Sequence, residues 1–226
     1  MKMFGAEMAG SECAFVKPLL EWWGKTSSGR NYPWRDENDP YKVLIAEILL
    51  QRTRRDKVVE VYEKFVKKFP TPGSLANASV EDVEKVIYGL GLRKRAPYLV
   101  KLAKELVKNY DGIVKTGRFE KLPGVGRYVA SAARLILGYD TELVPDSSIA
   151  RVFSRLFGKS LNRRRPADTS WVRRILNECA PRDLVEKREY FLALIDLAWE
   201  ICRSRKPFCD KCPFVDKCMY HKRQPG

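Results

Sequence analysis

The stretch Leu122–Pro123–Gly124–Val125–Gly126–Arg127–Tyr128–Val129–Ala130 decides how this chain is read. A proline and two glycines break a helical pattern, and the chain then runs straight into an apolar helix. Glycine leaves the backbone bare enough for close approach by a ligand. The amides that open the following helix point outward with partial positive charge, an arrangement that holds anions such as phosphate. Arg127 adds a mobile full charge beside them. Read alone, the same turn also suits a plain connection between two helices.

Composition bears on that choice. Among 226 residues, 43 are Lys or Arg against 28 Asp or Glu, a formal charge of +15, and the basic residues recur along the whole length. A polyanion is the partner such a surface attracts, with a merely solvated basic surface as the alternative. The longest apolar run, Val43–Leu50, is too short to span a bilayer and carries Glu47. The N-terminus has no signal-peptide core. We therefore expect a soluble protein of a reducing cytoplasm, nucleoid-associated in a prokaryote. The single histidine, His221, lies near the C-terminus and argues against histidine-based catalysis.

Helical periodicity dominates. Val58, Val61, Tyr62 and Phe65 share a face, as do Leu99, Leu102 and Leu106, and later Tyr190, Leu194, Leu197 and Ala198. Breaks are expected at Thr71–Pro72–Gly73, Pro123–Gly124, Gly138 and Arg165–Pro166, and Ser79 with Asp82 marks a helix start. Roughly ten helices and no strands follow, an all-α chain. The run Asn162–Arg163–Arg164–Arg165–Pro166 reads as a solvated basic loop.

Four of the six cysteines, Cys202, Cys209, Cys212 and Cys218, form C-x6-C-x2-C-x5-C. Four thiolates on one compact loop can close around a tetrahedral metal or an iron–sulfur cube, and the spacing leaves both open. Two local disulfides are disfavoured by the tight spacing and a reducing compartment. Cys13 and Cys179 stand alone in helical patterns and are expected as free thiols packed like small apolar groups.

This cysteine spacing resembles the [4Fe-4S] loop of the endonuclease III-like DNA glycosylases of the helix-hairpin-helix superfamily, and Leu122–Gly126 is similar to their hairpin. The resemblance implies an all-α, two-domain fold. A six-helix domain over 31–139 would end with the helix-hairpin-helix, and 1–30 would join 140–226 in a discontinuous domain carrying the cluster loop, 202–218. It implies a structural cluster on the four cysteines, pinning a loop that touches DNA phosphates, and Gly124, Gly126 and Arg127 as DNA contacts. Arg203, Arg205 and Lys206 bring positive charge beside that cluster, which suits a DNA-facing loop and a solvated one alike.

Two carboxylates remain. Glu47 sits in an apolar helix, where burial raises a carboxyl pKa and suits a group that donates a proton and later takes one back; an exposed helix edge is the plainer alternative. Asp146 precedes a helix and reads as its N-cap, with Ser147 or Ser148. By resemblance Asp146 is the essential aspartate of these glycosylases, followed five residues on by Arg151, although Pro145 and Ser147–Ser148 depart from the commoner pattern. The resemblance places the two acids across a cleft between domains, the arrangement for cleaving an N-glycosidic bond. Gln51, Arg52 and Leu92 match positions that fill the space left by a rotated base or probe its partner.

Tyr128 occupies the position where the strand-cutting enzymes carry a nucleophilic lysine, and a phenol cannot form a Schiff base. The chain thus resembles the monofunctional, G/T mismatch-specific thymine-DNA glycosylases. A MutY-type adenine glycosylase is the runner-up, disfavoured because only eight residues follow Cys218 where a second recognition domain would stand. A bifunctional endonuclease III-like glycosylase/lyase comes third. From another class, a non-catalytic DNA-binding module would keep the hairpin and the cluster alone. The expected partner is double-stranded DNA holding a mismatched or damaged base, bound by a monomer.

Overall fold

A computed structural model of the chain describes residues 11–26 and 32–223. Its contacts divide it into two compact units, Tyr32–Thr141 and the pair of segments Met1–Asn31 and Glu142–Gly226. The boundary expected at residues 30–31 lies outside the described residues. No strand occurs among the described residues, and none of their helices is long and apolar enough to cross a membrane.

The discontinuous unit begins with α1 (Val16–Lys25). The inserted unit then follows with α2 (Pro40–Leu50), α3 (Arg55–Lys68), α4 (Pro72–Ala76), α5 (Val80–Ile87), α6 (Ala96–Lys108), α7 (Tyr110–Val114) and α8 (Arg127–Ile136). These are seven helices where the resemblance implies six. Asn109, whose backbone at φ −147° and ψ 52° is not helical, cuts the one-turn α7 away from α6. The discontinuous unit resumes with α9 (Ser147–Phe157), α10 (Ser170–Glu178), α11 (Leu184–Asp196) and α12 (Met219–Lys222).

In the inserted unit α2 is the core helix. Eight of its eleven residues are buried, and it packs on α3 and α8. Asp39 starts it by accepting from the Tyr41 amide at 2.9 Å, with Pro40 where its missing N–H costs nothing. Ser79 caps α5 as expected, accepting from the Asp82 amide. The break expected at Thr71–Pro72–Gly73 separates α3 from α4, with Pro72 at the first position of α4 and a reciprocal capping box between Thr71 and Ser74.

The discontinuous unit corrects the reading of two cysteines. Cys13 and Cys179 are joined in a disulfide, Cα–Cα 5.2 Å, instead of packing as free thiols. They lie 166 residues apart and meet because this unit is assembled from both ends of the chain, which linear spacing does not reveal. Glu12 strengthens the same seam, accepting from Lys159 at 2.7 Å and Arg174 at 3.0 Å. These two partners hold its carboxyl below the usual range. Within the unit's core the Trp23 indole donates to the buried Asp196 carboxylate at 2.8 Å.

Candidate active site

The hairpin is built from its apolar anchors outward. Leu122 and Val125 are buried, and the Val125 amide donates to the Leu122 carbonyl at 3.1 Å, closing the turn. Gly124 has φ +80°, the left-handed region, and a Cβ there would meet the Cβ of Tyr98 at 3.4 Å. Gly126 has an ordinary extended backbone, and nothing lies within 4 Å of where its Cβ would be. Its bareness thus serves no internal contact. It opens α8 with no side-chain cap, leaving the first amides to face an approaching group, and the neighbouring Arg127 is exposed. Tyr128, next along α8, is half-buried against the core of the inserted unit.

Glu47 lies on α2 with 7% of its surface exposed, so the exposed-edge alternative is excluded. A carboxyl in that setting is costly unless it is engaged. At the end of α2, Gln51 is half-buried and Arg52 is exposed with φ 60°, the only non-glycine left-handed residue among those described. Leu92 is half-buried and packed against the same core.

Asp146 is the N-cap of α9. Its Oδ1 accepts from the amides of Ser148 at 2.9 Å and Ile149 at 2.8 Å, and the Ser148 hydroxyl donates to the carboxylate at 2.7 Å. Of the two serines weighed as companions, Ser148 is buried and bonded whereas Ser147 is exposed. One turn on, Arg151 donates to the carbonyls of Cys202 and Ala198, both at 3.0 Å. Burial pulls the Arg151 guanidinium below its ordinary range, partly countered by Cys202 and Asp146.

Cys202 follows a π-helical turn, Leu197–Ile201, whose wide ring is closed by the Cys202 amide on the Leu197 carbonyl at 2.7 Å. All four loop cysteines are free thiols and border one cavity with Arg155, Tyr220 and His221. Arg155 donates to the Arg203 and Ser204 carbonyls at 2.6 and 3.0 Å and reaches the Cys202 Sγ at 3.5 Å. Burial pushes the Cys212 thiol up to about 11. No three His, Cys, Asp or Glu side chains among the described residues are grouped to hold a metal ion. Sequence reasoning did not single out Arg155, which faces the cysteine loop, or Arg95, which bonds the end of α2. The i, i+4 spacing of Arg151 and Arg155 is the one local signal that could have been used.

A helix-hairpin-helix followed by a capped aspartate and a four-cysteine loop defines a class of DNA base-excision proteins. The family model "HhH-GPD superfamily base excision DNA repair protein" matches residues 45–181, and the chain belongs to that superfamily. It is 33% identical to the thymine-DNA glycosylase of Aeropyrum pernix over 211 residues, covering 92% of this chain and 94% of the relative. It is likewise 33% identical to the thymine/uracil-DNA glycosylase of Pyrobaculum aerophilum over 214 residues, covering 93% of each. Among solved structures it is similar to that of a thermostable thymine-DNA glycosylase, with a TM-score of 0.77, 30% identity, and coverage of 94% of this chain and 97% of the other.

Proposed function

We propose that this chain is a monofunctional DNA glycosylase that hydrolyses the N-glycosidic bond of thymine or uracil opposite guanine in duplex DNA. Tyr128 at the second position of the hairpin helix carries the monofunctional assignment, because no amine stands there to attack the sugar. Similarity to thymine- and thymine/uracil-DNA glycosylases over nine-tenths of the chain supports the choice of base.

The two carboxylates divide the work by their surroundings. Glu47, held in an apolar helix, protonates or polarises the departing pyrimidine. Asp146, fixed by two amides and the Ser148 hydroxyl, offers its negative charge to the sugar cation or orients the attacking water. Tyr128 shapes the pocket. Gly124, Gly126 and Arg127 receive backbone phosphate, while Gln51, Arg52 and Leu92 fill the stack and probe the opposite base.

Cys202, Cys209, Cys212 and Cys218 would hold a [4Fe-4S] cluster on this reading; four free thiols bordering one cavity and the Arg155 guanidinium beside Cys202 support it, although the side chains as they stand form no metal-binding group. Bound by these four thiolates, a cluster would pin the loop, and the hydrolysis would rest with the two carboxylates. Iron and sulfide analysis together with visible absorbance distinguishes it from zinc. The place of action is the DNA-containing cytoplasm.

The test is single-turnover excision from G·T and G·U duplexes by Glu47→Gln and Asp146→Asn. Asparagine caps a helix as well as aspartate does, so the second variant removes charge while α9 keeps its start. Each is expected to slow excision by about 10²–10⁴-fold with unchanged melting. Full activity in a folded Asp146→Asn protein overturns the assignment.

A further inference from the structure

The last turn of an α-helix leaves carbonyls without intrahelical partners, and α2 ends where the base-probing residues begin. Arg95 answers those carbonyls from 44 to 47 residues away: one guanidinium nitrogen donates to the Ile48 carbonyl and the other to the Gln51 carbonyl at 2.8 Å. Its own amide donates to the Leu92 carbonyl at 2.7 Å. One residue therefore holds Leu92 through its backbone and the Gln51–Arg52 turn through its side chain, next to the turn of α2 that carries Glu47.

Arg52 makes that clamp necessary. A non-glycine residue in the left-handed region is strained and persists only where its surroundings over-determine it. Here the Gln51 carbonyl accepts from both Arg95 and the Thr53 hydroxyl, the latter at 3.3 Å, which fixes the peptide entering Arg52. The planar fork presents two nitrogens at a fixed spacing, one to each carbonyl, a geometry that a single ammonium on a flexible stem does not reproduce.

We propose that Arg95 is a positioning residue for mismatch recognition, locking the Leu92 wedge and the Gln51–Arg52 turn into one rigid reading edge so that excision depends on the base opposite. The inference rests on the reading above that these three residues fill the stack and probe the opposite base. It assigns Arg95 no contact with DNA or with the reacting atoms.

Arg95→Lys keeps a charge and loses the fork, and Arg95→Ala removes both. The measurements are melting temperature, affinity for a matched duplex, single-turnover excision from G·T and A·T, and fluorescence of 2-aminopurine placed beside the mispair, which reports unstacking whether or not a bond is cut. For Arg95→Lys we expect melting close to wild type and matched-duplex affinity within about twofold. Excision from G·T should fall by about ten- to a hundredfold, the G·T to A·T ratio should narrow, and the mismatch-dependent fluorescence rise should be lost. If Arg95→Ala unfolds, Arg95→Lys alone decides. An Arg95→Lys protein that keeps the wild-type ratio and fluorescence overturns the proposal. So does one that loses activity on both duplexes only in step with its melting. A wild-type protein that excises nothing yet shows the fluorescence difference refutes the proposed chemistry and leaves Arg95 to be judged by that signal; a wild type lacking both refutes the two together.

Discussion

At the scale of single residues, the helix-capping and chemical readings of Asp146 are compatible. The cap that a plain reading of Asp146 expects is formed, and those same bonds fix a carboxylate at the head of α9. A reagent that also starts a helix cannot wander, which is how a fixed negative charge serves a transition state without reorganising. Glu47 was harder to judge from sequence, since one apolar helix pattern suits both a buried acid and an exposed edge. Packing on two helices settles it by burying nearly the whole of α2. Arg95 was illegible for a different reason: its value lies in carbonyls supplied by a distant helix end, and backbone acceptors leave no trace in a residue pattern.

At the scale of elements, the hairpin makes the two glycines experimentally separable. Gly124→Ala places a side chain at φ +80° against Tyr98 and should destabilise the inserted unit by about 1–2 kcal/mol. Gly126→Ala meets open space at an ordinary backbone conformation and should melt like the wild type. If a phosphate approaches there, the same change weakens duplex binding by about tenfold, read by fluorescence anisotropy at fixed salt. Unchanged affinity in Gly126→Ala would remove the hairpin from the DNA-binding surface. The hairpin was readable in advance because proline and glycine act locally. The break before α4 was readable for the same reason, whereas the capping box that sets its first turn needs Thr71 and Ser74 to meet.

At the scale of the whole molecule, the chain closes one unit from its two ends, and the Cys13–Cys179 disulfide makes that closure covalent. The cross-linked loop contains the entire inserted unit, so reduction releases chain entropy to the unfolded state. A loss of about 2–4 kcal/mol is expected, or roughly 5–15 °C in melting temperature, for Cys13→Ser/Cys179→Ser against the oxidised protein. Equal melting of the two would show that the non-covalent contacts between the chain's ends, the Glu12 ion pairs and the Trp23–Asp196 bond among them, hold the seam without the disulfide. Nothing in the spacing of Cys13 and Cys179 announced this bond, whereas the clustered cysteines announced themselves, because a ligand loop is compact in sequence and a staple between chain ends is not. The charge of +15 belongs to this scale too, and it should make duplex affinity fall steeply with added salt.

The central claim is that a DNA glycosylase of this superfamily removes a mispaired pyrimidine by hydrolysis alone. It is tested most directly with end-labelled duplexes carrying G·T, G·U or oxidised guanine opposite adenine, incubated with protein and divided into portions with and without hot alkali. The account predicts strand cutting only after alkali, at thymine or uracil opposite guanine. Cutting without alkali would contradict the role given to Tyr128, cutting at adenine would contradict the choice of base, and intact strands throughout would contradict the enzyme itself.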